Sequence, residues 1–247
     1  MQTGPIQVLQ GALRPTAAQR KPRLVIAGAT GSLGNEVMRL LVGQQAFAST
    51  QVLAREPIQA GLREVGLTVA PSDIPVDWPD LAADVGVILF EPPRLFHDRE
   101  RALWTPRPDQ LVDLARWMRR GGASTLAVVL PHAQGRLPEA LKRGLASLDE
   151  HTVTALGFDR VLFIRSAQKP GTPDSRGFFH GLAHWMLSVF KYMLPSSEQP
   201  VRAVKVARFV AAALRHAPPG IHVAAPEVVW RASQGDVDAA VRQWLAD

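Results

Sequence analysis

Gly28, Gly31 and Gly34 are the residues of this chain best placed to do chemistry. They follow the short apolar run Arg23-Leu24-Val25-Ile26-Ala27 and precede an amphipathic stretch, Ser32 to Val42, with apolar residues at Leu33, Val37, Leu40 and Leu41. The first run reads as a buried strand and the second as a helix. Between them the first glycine permits a tight turn, the second lets backbone approach a ligand closely, and the third lets helix pack on strand. The unpaired N–H groups of the helix start, aided by its dipole, attract anions. Gly28, Thr30, Gly31, Ser32, Leu33 and Gly34 are therefore the candidate cradle for the pyrophosphate of a dinucleotide, because the triplet sits in the strand–turn–helix setting that this chemistry needs. About twenty residues further on, the next apolar run (Thr50 to Ala54) ends at Arg55. An acid at that place binds a ribose 2′-hydroxyl, whereas an arginine pairs with a 2′-phosphate. Arg55 favours NADP(H) over NAD(H), and Glu56 beside it offers the ribose alternative.

Other candidates carry less. His132 follows the apolar run Thr125 to Leu130 and is read either as a substitute acid/base near a nicotinamide or as an ordinary loop histidine. Phe90 and Glu91 end another run and face the cofactor position. Pro92 and Pro93 after them stiffen the loop and remove two N–H donors, which either reshapes the pocket or simply stops the strand. His180 and His184 have a metal-compatible spacing, but no third ligand accompanies them, so no metal is expected. The chain has no cysteine, which excludes thiolate catalysis, disulfides and cysteine-ligated metals.

The elements that position these residues alternate. Strands are expected at 23–27, 50–54, 67–69, 84–90, 125–130 and 160–165, with helices at 32–42, 109–120 and 137–155 between them. Such alternation gives a parallel sheet covered on both faces. The fold class is therefore α/β, a three-layer Rossmann fold with a parallel sheet of six or more strands and a small, mostly helical C-terminal lobe. Residues 1–22 read as a loosely ordered leader, 23–166 as the NAD(P)-binding domain and 167–247 as the lobe. The lobe holds expected helices at 178–193, 201–215 and 234–246 and a strand at 221–224. Its apolar stripe Phe178, Phe179, Leu182, Trp185, Met186 and Val189 suits core or a homodimer interface, and a small uncharged or amphipathic substrate. The net charge of +6 comes without a basic run, zinc spacing or RNA-binding aromatic signature, so no nucleic-acid partner is expected. No stretch reaches the roughly 18 uninterrupted apolar residues of a membrane span. Met1 to Lys21 lacks a signal-peptide apolar run, and a cytoplasmic location is expected.

The form Gly28-Ala29-Thr30-Gly31-x-x-Gly34 resembles the extended and atypical short-chain dehydrogenase/reductases. Ser72-Asp73-Ile74 is similar to their adenine-contacting segment, which implies that Asp73 meets the adenine amino group. Leu156 to Val161 with Ile164-Arg165 resembles the approach to their sixth strand, and Val201 to Ala207 resembles a helix in which they carry Asp-Val-Ala. Among subgroups the likeness is greatest to Tat-interacting-protein-type reductases and sugar-nucleotide-epimerase-like proteins. It spans Arg23 to Val229, with only the glycine turn specific. The family's catalytic Tyr-x-x-x-Lys is missing: the single tyrosine, Tyr192, is followed four residues later by Ser196, and Lys142 and Ala146 stand near the dyad's places. The resemblance implies an NAD(P)(H)-binding protein without standard catalysis, with a redox-sensing, regulatory or assembly role. The alternatives are an NADP-dependent oxidoreductase or epimerase-like enzyme using His132, and a structural Rossmann domain that no longer binds cofactor. If His132 is the acid/base, His132→Ala abolishes hydride transfer while cofactor affinity stays nearly unchanged; unaltered turnover rejects that role.

Overall fold

The computed structural model describes residues 20–57, 65–91, 98–130, 149–165 and 201–247. Its strands are short and apolar on both faces, so each face needs a covering layer. They are β1 (Arg23–Ala27), β2 (Ser49–Ala54), β3 (Val65–Val69), β4 (Val85–Leu89), β5 (Thr125–Leu130), β6 (Arg160–Arg165) and β7 (Gly220–Ala224). All pair in parallel, in the order β3-β2-β1-β4-β5-β6-β7. The expected α/β sheet is thus present, with seven strands. The helices are α1 (Gly31–Gly43), α2 (Asp98–Arg101), α3 (Leu111–Arg120), α4 (Ala203–His216), α5 (Pro226–Ser233) and α6 (Val237–Ala246).

The two-residue period of the strands splits the core in two. Leu24, Ile26, Val87, Leu89, Ala127, Val129, Leu162 and Ile164 face one side, against Val37 and Leu41 of α1 and Phe209 and Val210 of α4. Val25, Ala27, Ile88, Leu126, Val128, Val161 and Phe163 face the other, against Leu114, Ala115 and Met118 of α3. On that second side Trp78 makes edge-to-face contacts with Trp104 at 5.1 Å and with Trp117 at 5.2 Å.

The C-terminal residues contribute the expected strand and one helix more than the pattern suggested. β7 continues the sheet beyond β6, with Val161 opposite Ile221 and Phe163 opposite Val223. The closing helix expected from about Gln234 is present as α6, and α5, which was not expected, precedes it. Pro226 occupies the first turn of α5, where its missing N–H costs nothing, and Asp236 starts α6 by accepting from the backbone N–H groups of Asp238 and Ala239. Of the expected helix at 137–155, only 149–155 is described, and it is helical through Thr154. The leader, His132, Lys142, Ala146, the 178–193 stretch with His180 and His184, Tyr192 and Ser196 lie outside the described residues. Among the described residues no helix is long and apolar enough to cross a membrane.

The strand order reverses between β1 and β4, and this is the place where open α/β sheets bind ligands, beyond the carboxyl ends of the strands. Gly28 leaves β1 there with φ +84°, and a Cβ on it would lie 2.0 Å from the carbonyl oxygen of Leu89. Only glycine fits.

At the opposite edge Arg23 and Asp84 clasp β1 to the start of β4. The Arg23 backbone N–H donates to Asp84 Oδ2 at 2.7 Å, and its guanidinium donates to both carboxylate oxygens at 3.0 Å. The Arg23 hydrogen bonds hold the Asp84 carboxyl below its ordinary value, against the opposing effect of burial, and Asp84 in turn raises Arg23. A depressed carboxyl stabilises the fold above its unfolded pKa, and that contribution is lost as pH falls through the folded value. The Asp84 side chain is 39% exposed, so the stabilisation is discounted for solvent screening. Asp84→Asn is expected to destabilise by about 1 kcal/mol at pH 7, and the difference from wild type to shrink below about pH 4. Urea unfolding at several pH values checks this; a difference that stays constant with pH would show that the charge contributes nothing.

Candidate functional site

The site begins with a backbone deficit. The first N–H groups of α1 have no partner within the helix. The N-cap, Thr30, provides no side-chain cap, and no acidic residue lies in the first turn. The partners come from far along the chain. Leu33 N–H donates to Glu91 Oε2 at 2.6 Å, Gly34 N–H to the same oxygen at 3.1 Å, and the Ser32 hydroxyl to Glu91 Oε1 at 3.1 Å. Gly31 N–H donates to Glu100 Oε2 at 3.1 Å. The buried Thr30 hydroxyl donates to the Glu91 carbonyl oxygen at 2.5 Å, which anchors the backbone of that residue. The donors expected to cradle a pyrophosphate are formed, convergent and engaged by carboxylates.

Gly31 makes this possible. Its φ is +66°, a conformation that L side chains rarely adopt, and a Cβ there would lie 2.3 Å from Glu91 Cδ. The space that the missing Cβ leaves is filled by the Glu91 side chain.

A second segment closes over the ends of β1 and β2. Beyond α2 the backbone runs antiparallel to the end of β2: Arg55 N–H donates to Ala102 O at 2.7 Å, Trp104 N–H donates to Leu53 O at 3.0 Å, and Leu103 bridges Ala54. Pro106 Cδ lies 2.9 Å from the Cβ position of Gly28. Trp104 is fully buried, and its indole N–H has no hydrogen-bond partner. Glu100 and this strap were not anticipated. The run Asp98-Arg99-Glu100-Arg101 reads as solvated surface, and its only hint of depth is the tryptophan that follows.

Arg55 and Asp73 come together at the outer end of the crevice, with Arg55 Nη1 3.8 Å from Asp73 Oδ1 and both side chains about half exposed. Gln110 Nε2 donates to the Asp73 carbonyl oxygen at 2.7 Å and fixes that loop. Ile74 is exposed, and Phe90 is buried in the core on the α3 side. Among the described residues no group of three His, Asp or Glu side chains is placed to hold a metal ion.

The sequence matches no protein-family model and no curated protein. Solved structures do match the fold. They include a nucleoside-diphosphate-sugar epimerase from Staphylococcus aureus, with TM-score 0.51 and 13% identity, over 87% of this chain and 78% of that one. The PhqB reductase domain from Penicillium fellutanum gives TM-score 0.52 and 16% identity, over 94% and 76%. The triphenylmethane reductase of a Citrobacter species gives 0.51 and 12%, over 81% and 68%. This chain has the Rossmann fold of the epimerases and reductases. At these identities the likeness establishes architecture, and chemistry must be argued from residues.

In this Rossmann domain the fit between Gly31 and Glu91 is testable. Gly31→Ala is expected to destabilise by about 1–2 kcal/mol from the left-handed backbone alone, with a further loss from the displaced carboxylate. Urea unfolding measures the first, and the amide resonances of Leu33 and Gly34 report the second. A variant as stable as wild type with unmoved resonances would refute the packing.

Proposed function

We propose that this chain is an NAD(P)-binding protein of the short-chain dehydrogenase/reductase type that works without the family's Tyr/Lys pair. One observation carries the reading: the turn between β1 and α1 already binds an anion through two backbone N–H groups and a hydroxyl. The Glu91 carboxylate occupies the place of a phosphate. The N–H groups of Leu33 and Gly34 and the Ser32 hydroxyl would hold the pyrophosphate. Arg55, half exposed at the end of β2, supplies a cation for a 2′-phosphate, and Asp73 beside it an acceptor for the adenine amino group. The Citrobacter triphenylmethane reductase, similar in fold at TM-score 0.50, was solved complexed with NADP(H).

When bound, the nicotinamide would supply hydride chemistry, but this chain brings no Tyr–Lys pair to move a proton with it, since its one tyrosine is followed four places later by Ser196. That absence supports a redox-sensing, regulatory or assembly role over ordinary turnover. A second reading is favoured by the carboxylates of Glu91 and Glu100 on the cradle and by the strap over β2. In it the domain is structural and takes no cofactor.

Titration with NADPH, NADH and NADP⁺, followed by calorimetry and nicotinamide fluorescence, decides between them. NADPH is expected to bind about tenfold more tightly than NADH, and Arg55→Ala to remove that difference. No binding of any dinucleotide establishes the structural reading instead.

A further inference from the structure

We infer that Glu91 is an internal substitute for phosphate: it keeps the cradle closed, and a phosphate-bearing ligand enters only by expelling it. The inference rests on reading the turn as a phosphate site, and adds that the chain carries its own competitor for it. Two features support competition over a purely structural tie. The carboxylate is bound as a phosphate would be, with one oxygen taking two successive N–H groups and the other a hydroxyl. It also fills the volume that Gly31 leaves free, so carboxylate and phosphate cannot share it.

The anchoring of Glu91 suits an exchangeable occupant. Its carbonyl is held by the buried Thr30 hydroxyl, so the backbone at the end of β4 keeps its place. The residue itself is only partly buried, and its carboxylate meets the partly exposed edge of the cradle. Rotation about the side-chain bonds alone can therefore release the donors of Ser32, Leu33 and Gly34. Glu100 holds a different donor, Gly31 N–H, and is buried. Apparent affinity for a phosphate ligand is then the intrinsic affinity reduced by the fraction of molecules whose cradle is open.

The probes are sodium pyrophosphate and NADPH, titrated by calorimetry into wild type, Glu91→Ala and Glu91→Gln, with thermal melting of each ligand-free protein to confirm folding. Glu91→Ala is expected to bind pyrophosphate at least about tenfold more tightly than wild type, with Glu91→Gln in between. The Leu33 and Gly34 amide resonances of ligand-free Glu91→Ala should move in the same sense as on removal of an acceptor. Folded variants whose pyrophosphate affinity equals or falls below that of wild type overturn the inference. If pyrophosphate tightens and NADPH does not bind even to Glu91→Ala, the competitor stands and the dinucleotide reading fails. Tightening of both supports both.

Discussion

A helix that starts at a buried turn must give its first N–H groups to some acceptor, and in this molecule that requirement organises one whole end of the sheet. Its donors are only partly open to water, and α1 has neither a side-chain cap nor an acid of its own in the first turn. The acceptors are carboxylates 57 to 69 residues away in sequence. Each arrives with structure attached. Glu91 needs β4 beside β1, with Gly28 allowing close approach; Glu100 needs α2 and the strap that continues into the antiparallel pairing with β2. Loss of the carboxylates would leave four donors unsatisfied at the point where the strand order reverses.

The two ends of the strands are held by different physics. At the amino end Arg23 and Asp84 satisfy each other fully, with opposite charges, three hydrogen bonds and shifts in opposite pKa directions. At the carboxyl end the arrangement differs: two carboxylates face the helix dipole and its backbone N–H groups. A matched pair is finished chemistry. An anion resting on neutral donors can be exchanged for another anion at small cost, since the donors stay in place. This asymmetry is the physical reason to look for binding at the carboxyl end.

The central strands were legible because they are apolar runs covered on both faces; the glycine turn was legible because its residues must adopt conformations that few others tolerate. Local chemistry sufficed for both. α5 was missed because its eight residues make only about two turns, marked by nothing but Pro226 at the start. The site was half legible. Glu91 was placed beside the cofactor from its position after β4, yet nothing in Phe90-Glu91-Pro92 states that its carboxylate turns back onto α1. That contact depends on the spacing of β1 and β4 and on the missing Cβ of Gly31, neither of which is a property of the Glu91 neighbourhood. Glu100 was invisible for the same reason: its burial is set by pairing between 102–104 and 53–55.

Arg55 and Asp73 extend the exchange argument to the outer crevice. Their ion pair is long, at 3.8 Å, and both partners are about half exposed, so it is worth little in solvent. A dianionic phosphate would draw Arg55 away from Asp73 with little loss, and the carboxylate so released could accept from a base amino group. The inner and outer parts of the crevice thus have one property in common: each positive element is engaged by a weak or displaceable carboxylate of the same chain. A surface built only for packing would gain nothing from holding its donors and its cation in that poised state, because tighter pairing of the kind seen at Arg23 and Asp84 was available to it. On the proposed reading, the acids of the chain keep this site ordered until a stronger anion takes their place.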